Sequence, residues 1–213
     1  MFDMDGLLLD SEQLALVLFC RACEGQGIEP DLSAYRRCIG TTYARTREIL
    51  MQAHGPSFPY QAVADDWSRR YETHVLHTPI RRKPGARNLL QYLEKQSTPV
   101  AVATQTRIRL AQRKLELAGL ARYIQQVVGG DQVTRGKPHP EPYLTAATRL
   151  KVDPAHCWAL EDSNNGVQAA HAAGMNVIHI PDLVAPSQAV RTLQFPTLNS
   201  LQEVIPLLEV LPA

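Results

Sequence analysis

Residues 99–119 read PVAVATQTRIRLAQRKLELAG. Pro99 to Thr104 is a short apolar run of strand length, and Arg107 to Ala118 carries a helical pattern closed by Gly119. The same alternation continues downstream. Tyr123 to Val128 reads as a strand ended by Gly129 and Gly130, and Pro140 to Leu150 as a helix with proline in its first turn. Cys157 to Leu160 is strand-like again, Ser163 to Ala173 is a helix stopped by Gly174, and Asn176 to Ile180 is another apolar strand. A last helix is expected over Leu201 to Leu211, broken or kinked at Pro206. Strands alternating with helices of this length imply an α/β fold, a doubly wound parallel sheet of the Rossmann-like kind covered on both faces.

Upstream the pattern changes. Residues 12–80 hold amphipathic helical stretches at Glu12–Gln26, Thr42–His54 and Tyr60–His77, with no strand between them. Asp10-Ser11 at one edge, and Thr78-Pro79 with Lys83-Pro84-Gly85 at the other, read as linkers. The expected organisation is an α/β core of residues 1–11 and 82–213, with a small all-helical domain of residues 12–81 inserted after the first strand and able to pivot. That first strand looks short. Only Met1 and Phe2 precede Asp3, whereas a buried parallel strand has about five or six residues, so further apolar residues upstream of Met1 are expected.

Composition narrows the classes of partner. Lys and Arg total 22 against 21 Asp and Glu, a net charge of +1, which gives no general attraction to nucleic acid or an anionic membrane. No apolar run approaches the ~20 residues that span a bilayer. The acidic start lacks the basic segment of a secretory signal. Cys20, Cys23, Cys38 and Cys157 are too few and scattered for a disulfide framework, and no second pair completes a zinc site with Cys20 and Cys23. Reduced thiols and a cytoplasmic location are the expectation. Oligomeric state is not legible.

Chemistry is written in four places. Asp3 and Asp5, in Phe2-Asp3-Met4-Asp5-Gly6, are carboxylates two residues apart at an expected strand end. In extended chain they would share a side, and ligands of open parallel sheets bind outside the carboxyl ends of the strands. Two such charges need a cation or a shared proton. Thr104 ends its strand, where its hydroxyl and the following backbone N–H groups could hold a phosphoryl oxygen or simply cap the next helix. Lys137, fixed between Gly136 and Pro138, offers a localised positive charge. Glu161 and Asp162 follow a strand and suit a hard divalent cation, although Asp162 or Ser163 could be only an N-cap. Each signal is weak alone; their order and their places at strand ends give them weight together.

FDMDGLLLDSE, GKPHPEPY and LEDSNNGVQAA, with Thr104 between, resemble the haloacid dehalogenase superfamily along nearly the whole chain. The nearest likeness is to the subgroup with a helical cap after the first motif, which includes β-phosphoglucomutase and many sugar-phosphate phosphatases. The resemblance implies that Asp3 attacks phosphorus to form an aspartyl-phosphate, while Asp5 protonates the leaving oxygen and then deprotonates water. It implies Mg²⁺ held by Asp3, the Asp5 carbonyl and Asp162, with Glu161 in support directly or through water. Thr104, Gln105 and Lys137 would bind the transferring group, and the cap would close over the site and select the substrate. Gln13, Arg45 and Arg47 of the cap, and Thr106 and Arg107 of the core, are candidate substrate contacts.

Departures from the family narrow the reaction. The first lysine of the chain is Lys83, so the cap lysine of phosphonatases, and that of β-phosphoglucomutase, has no counterpart. Ala15 stands where the mutase has a cap histidine. The superfamily's dehalogenases lack an aspartate at the Asp5 position. These features imply an Mg²⁺-dependent phosphohydrolase acting on a small phosphorylated metabolite such as a sugar phosphate. A phosphosugar mutase and a non-catalytic phosphometabolite-binding protein are the alternatives.

Overall fold

The computed structural model describes residues 1–39, 41 and 43–210. The chain divides into two compact units, Ser11–Thr78 and Met1–Asp10 with Pro79–Ala213.

The first unit is helical: α1 (Ser11–Glu24), α2 (Leu32–Cys38), α3 (Tyr43–His54) and α4 (Tyr60–His77). Thr42, expected to open a helix, lies outside the described residues. The seven-residue α2 has too few turns to show a periodic pattern in the sequence. Asp31 starts it by accepting a hydrogen bond from the Ala34 amide at 2.9 Å. The unit's core is aromatic. Phe19, Tyr35 and Trp67 bring their ring centroids within 5.1–5.8 Å of one another, and edge-on pairs at this spacing add to plain area burial. Cys20 and Cys23 are free thiols of α1, and burial pushes the Cys23 thiol up to about 12, so it stays protonated.

The second unit holds α5 (Ala86–Lys95), β1 (Ala101–Ala103), α6 (Ile108–Leu117), β2 (Gln126–Val128), α7 (Glu141–Leu150), β3 (Trp158–Glu161), α8 (Asn164–Ala172), β4 (Asn176–His179), α9 (Gln188–Arg191) and α10 (Val204–Val210). β1 pairs in parallel with β2, and β3 with β4. Phe2 joins the two pairs by parallel bridges to Val102 and Leu160. Its amide donates to the Ala101 carbonyl at 2.9 Å, and the Asp3 amide donates to the Leu160 carbonyl at 3.0 Å. The strand order is therefore β2, β1, Phe2, β3, β4. Asp3 stands at the carboxyl end of its centre.

Side chains alternate as a sheet buried on both faces requires. Ala101, Ala103, Val128, Ala159 and Val177 pack with Tyr143, Ala146 and Ala147 of α7 and with Val167 and Ala170 of α8. Val102, Leu160 and Ile178, on the intervening positions, are buried as well. The helix α5 was hidden in the sequence behind the Lys83-Pro84-Gly85 linker. Leu89 and Leu90 bury it. The last helical stretch is a 3-10 turn over Leu201–Glu203 followed by α10. Pro206 does not break it, because it sits in the first turn of α10, where a missing amide costs no helical hydrogen bond. Leu211 lies outside the described residues.

Candidate active site

After Asp3 the chain does not continue as a strand. The Leu8 and Leu9 amides donate to the Met4 carbonyl, and the Gly6 amide to the Leu9 carbonyl, which folds residues 4–9 into a tight turn. Gly6 makes the turn possible, with φ of +87°. A methyl group there would stand 2.3 Å from Asp162 Oδ2 and 3.4 Å from Asp182 Oδ2. The turn sends the two first-motif carboxylates to different partners.

Asp3 is 7% exposed, and its Oδ1 accepts a hydrogen bond from Lys137 Nζ at 2.5 Å. The same ammonium donates to Glu161 Oε1 at 2.5 Å. The Tyr143 hydroxyl also donates to Glu161 Oε1, at 2.5 Å, while the Ser163 amide and hydroxyl reach Oε2 at 3.3 and 3.2 Å. Glu161 is fully buried and both of its oxygens are engaged, which suits it to anchor Lys137. Gly166 lies directly beneath this carboxylate: a Cβ on it would fall 1.9 Å from Glu161 Oε1.

Asp5 has other neighbours. Its Oδ2 accepts from Thr106 Oγ1 at 2.6 Å and from Thr104 Oγ1 at 3.3 Å, and its Oδ1 pairs with Lys114 Nζ at 2.8 Å. Thr104 is not the cap of α6. Its hydroxyl accepts from the Thr106 amide at 3.1 Å, and Ile108, the first residue of α6, donates its amide to Asp131 Oδ1 at 2.7 Å.

The structure thus gathers Asp3, Asp5, Thr104, Thr106, Lys137, Glu161 and Asp162 at one edge of the sheet. Gln105 is exposed, and its side-chain amide donates to the Lys137 carbonyl at 3.0 Å, so it braces the lysine loop. Arg107 is exposed at the start of α6. Gln13, Arg45 and Arg47 are exposed residues of the helical unit, with Arg45 paired to Glu48 at 2.8 Å. Lys114, Asp182 and His179 lie outside the motifs, and Tyr143, the last residue of GKPHPEPY, was not singled out there. Asp182 Oδ1 pairs with Lys83 at 2.6 Å, and Oδ2 is buried with no hydrogen-bond partner among the described residues. His179 Nε2 donates to the Asp162 carbonyl at 3.1 Å, and burial lowers its imidazole below the ordinary histidine range, so it acts as a neutral brace.

Among the described residues, the carboxylates Asp3, Asp5, Glu161 and Asp162 gather beside the ammonium groups of Lys137 and Lys114. Burial pushes the Asp3 carboxyl up to about 7; Lys137 opposes the rise, and Glu161 and Asp5 add to it. For Lys137 burial favours the neutral amine, but the Asp3 and Glu161 carboxylates overcome it and hold the lysine above its usual value. Asp3, Glu161 and Asp162 can each offer an oxygen within 4.8 Å of the others. An all-oxygen set of carboxylates, beside the unpartnered Asp182 oxygen, fits a hard divalent cation.

The model of the haloacid dehalogenase-like hydrolases matches residues 1–180. The chain belongs to this family. A phosphorylated carbohydrates phosphatase of Thermotoga maritima is 33% identical over 181 residues, covering 84% of this chain and 82% of that protein. A HAD family hydrolase from Deinococcus radiodurans, solved with bound phosphate and sodium, is 26% identical with a TM-score of 0.83, covering 97% of this chain and 93% of the other. CbbY from Rhodobacter sphaeroides, in complex with phosphate, is 26% identical with a TM-score of 0.73, covering 95% and 94%. This haloacid dehalogenase-like chain is accordingly an enzyme of the phosphatase type, and its α/β fold is that of the family. Among the described residues no helix is long and apolar enough to cross a membrane.

Proposed function

We propose that the enzyme hydrolyses a small phosphorylated metabolite of the sugar-phosphate class through an aspartyl-phosphate on Asp3, with Mg²⁺ as cofactor. The observation that carries this reading is the buried Lys137 ammonium shared between Asp3 and Glu161 beside Asp162. A nucleophile is fixed there next to a positive charge, with further carboxylates beside it that a cation can balance. Two similar structures were solved with phosphate, one of them with sodium as well, which is in keeping with a phosphate-handling enzyme.

In the proposed reaction an Asp3 oxygen bonds to phosphorus as the ester P–O bond breaks, and Asp5 passes its proton to the departing oxygen. Asp5 then takes a proton from the water that attacks the phosphorus, which frees phosphate and restores Asp3. Lys137 and the Thr104 hydroxyl stabilise the charge on the transferring group's oxygens. Asp3, the Asp5 carbonyl and Asp162 would hold Mg²⁺, which supplies further charge stabilisation. Glu161 keeps Lys137 in place.

Purified enzyme with hexose and triose phosphates should release inorganic phosphate with Mg²⁺ present and none with a chelator. An isomerised phosphosugar without phosphate release would instead support a mutase. Unchanged activity in chelator would contradict the Mg²⁺ assignment.

Cation binding should also depend on pH. Asp3 is raised from 3.8 to about 7, so its proton stabilises the metal-free native state, and that contribution is lost as pH rises through about 7. Mg²⁺ must displace the proton below that pH and meets a bare carboxylate above it. Thermal melts should show a larger Mg²⁺-induced rise in Tm at pH 8 than at pH 6. An equal or larger rise at pH 6 would contradict the assignment of Asp3 as ligand.

A further inference from the structure

Lys114 is a buried lysine that the mechanism above does not use. It lies in the last turn of α6, 2% exposed, on the face that also buries Ala111, Leu115 and Ala118. A lysine in such surroundings is costly unless its charge is paired. The pairing is with Asp5 Oδ1 at 2.8 Å, across from the Thr106 hydroxyl on Oδ2 at 2.6 Å. Asp5 is thus held by both oxygens, one by an ammonium from α6 and the other by hydroxyls from the loop after β1.

We propose that Lys114 is a positioning residue for Asp5: it fixes the rotation of the carboxyl group and so places the oxygen that gives and takes the proton. The inference rests on the phosphatase reading, in which the Asp5 proton moves to the ester oxygen as the P–O bond breaks and is replaced by one from water. Lys114 keeps its own proton throughout. Its contribution is orientation set before the reaction begins. A displacement of about 1 Å in such a group costs about 100-fold in rate.

An orienting role differs from a merely structural one in its dependence on the leaving group. An alkoxide departing from a sugar phosphate needs the Asp5 proton; p-nitrophenolate does not. The test compares kcat/KM of wild type, Lys114→Met and Lys114→Arg on a hexose phosphate and on p-nitrophenyl phosphate, with thermal melts on each. Lys114→Met should lose about 100-fold on the sugar ester and less than about 5-fold on the aryl ester, and Lys114→Arg should recover most of the ratio between them. An equal loss on both esters, or no loss, overturns the inference. Should Lys114→Met not fold, Lys114→Gln and Lys114→Arg are read by the same ratio, and an unchanged ratio in both overturns it. A wild-type enzyme that cleaves neither ester overturns the functional reading as well, so the two failures are distinguishable.

Discussion

Asp3→Asn is expected to abolish phosphate release, lowering kcat by at least about 10³-fold, while the protein stays folded. An amide oxygen can still accept the hydrogen bond from Lys137, now 2.5 Å from the Asp3 carboxylate, but it cannot form a stable bond to phosphorus. Stability should move the other way. The substitution removes the carboxylate that burial pushes up to about 7 and leaves Lys137 paired with Glu161. Metal-free Asp3→Asn should therefore melt no lower than the wild type at pH 8, and Mg²⁺ should raise its Tm less. Loss of activity with a large fall in Tm would mean that Asp3 holds the fold and would leave no support for it as nucleophile.

Gly166→Ala should be strongly damaging to both stability and activity. Gly166 is the third residue of α8, a place where alanine would ordinarily stabilise a helix by about 1 kcal/mol. Here the added Cβ would meet the Glu161 carboxylate, 1.9 Å from Cδ and 2.1 Å from Oε2. That carboxylate is fully buried and held by Lys137, Tyr143 and Ser163, so it cannot retreat without breaking those bonds. Displacing a buried, paired charge costs about 3–5 kcal/mol. Lys137 loses its second anchor as well, so phosphate release should fall by about 100-fold or more. Adding Glu161→Asp, whose shorter arm withdraws from the methyl group, should recover part of the stability, a coupling that denaturant melts of the single and double variants would measure. Wild-type Tm and activity in Gly166→Ala would show that Glu161 does not lie where the structure has it.

Asp3, Thr104 and the Glu161-Asp162 pair of the proposed site were legible as candidates because each closes a strand of a parallel sheet, and that topology brings strand ends to one edge. Asp3, Thr104 and the Glu161-Asp162 pair are far apart in sequence and meet for this reason. Lys137 was legible from the glycine and proline that flank it. What stayed hidden depends on side-chain direction. Lys114 occupies a position among Ala111, Leu115 and Ala118 where the apolar stripe of α6 needs a hydrophobe, and its ion pair with the Asp5 carboxylate explains it. Tyr143 reads as an ordinary core aromatic of α7 until its hydroxyl is seen on Glu161. Thr106 and Gln105 were expected to face ligand, yet the first holds Asp5 and the second braces the Lys137 loop. The expectation that Asp3 and Asp5 share one side of an extended segment did not survive the turn at Gly6, which gives each carboxylate its own lysine. The seven-residue α2 escaped because two turns show too little periodicity, and at the sheet's centre the bridges to both neighbouring strands are made at Phe2.

The most direct test is to trap the covalent intermediate. Enzyme mixed with excess substrate and Mg²⁺, quenched in acid within the first turnovers and digested, should show by mass spectrometry a mass gain of one phosphoryl group on the peptide containing Asp3. Borohydride should convert that residue to homoserine, and the gain should be absent from Asp3→Asn. Phosphate release with the phosphoryl group on any other residue, or continued turnover by Asp3→Asn, would contradict the account.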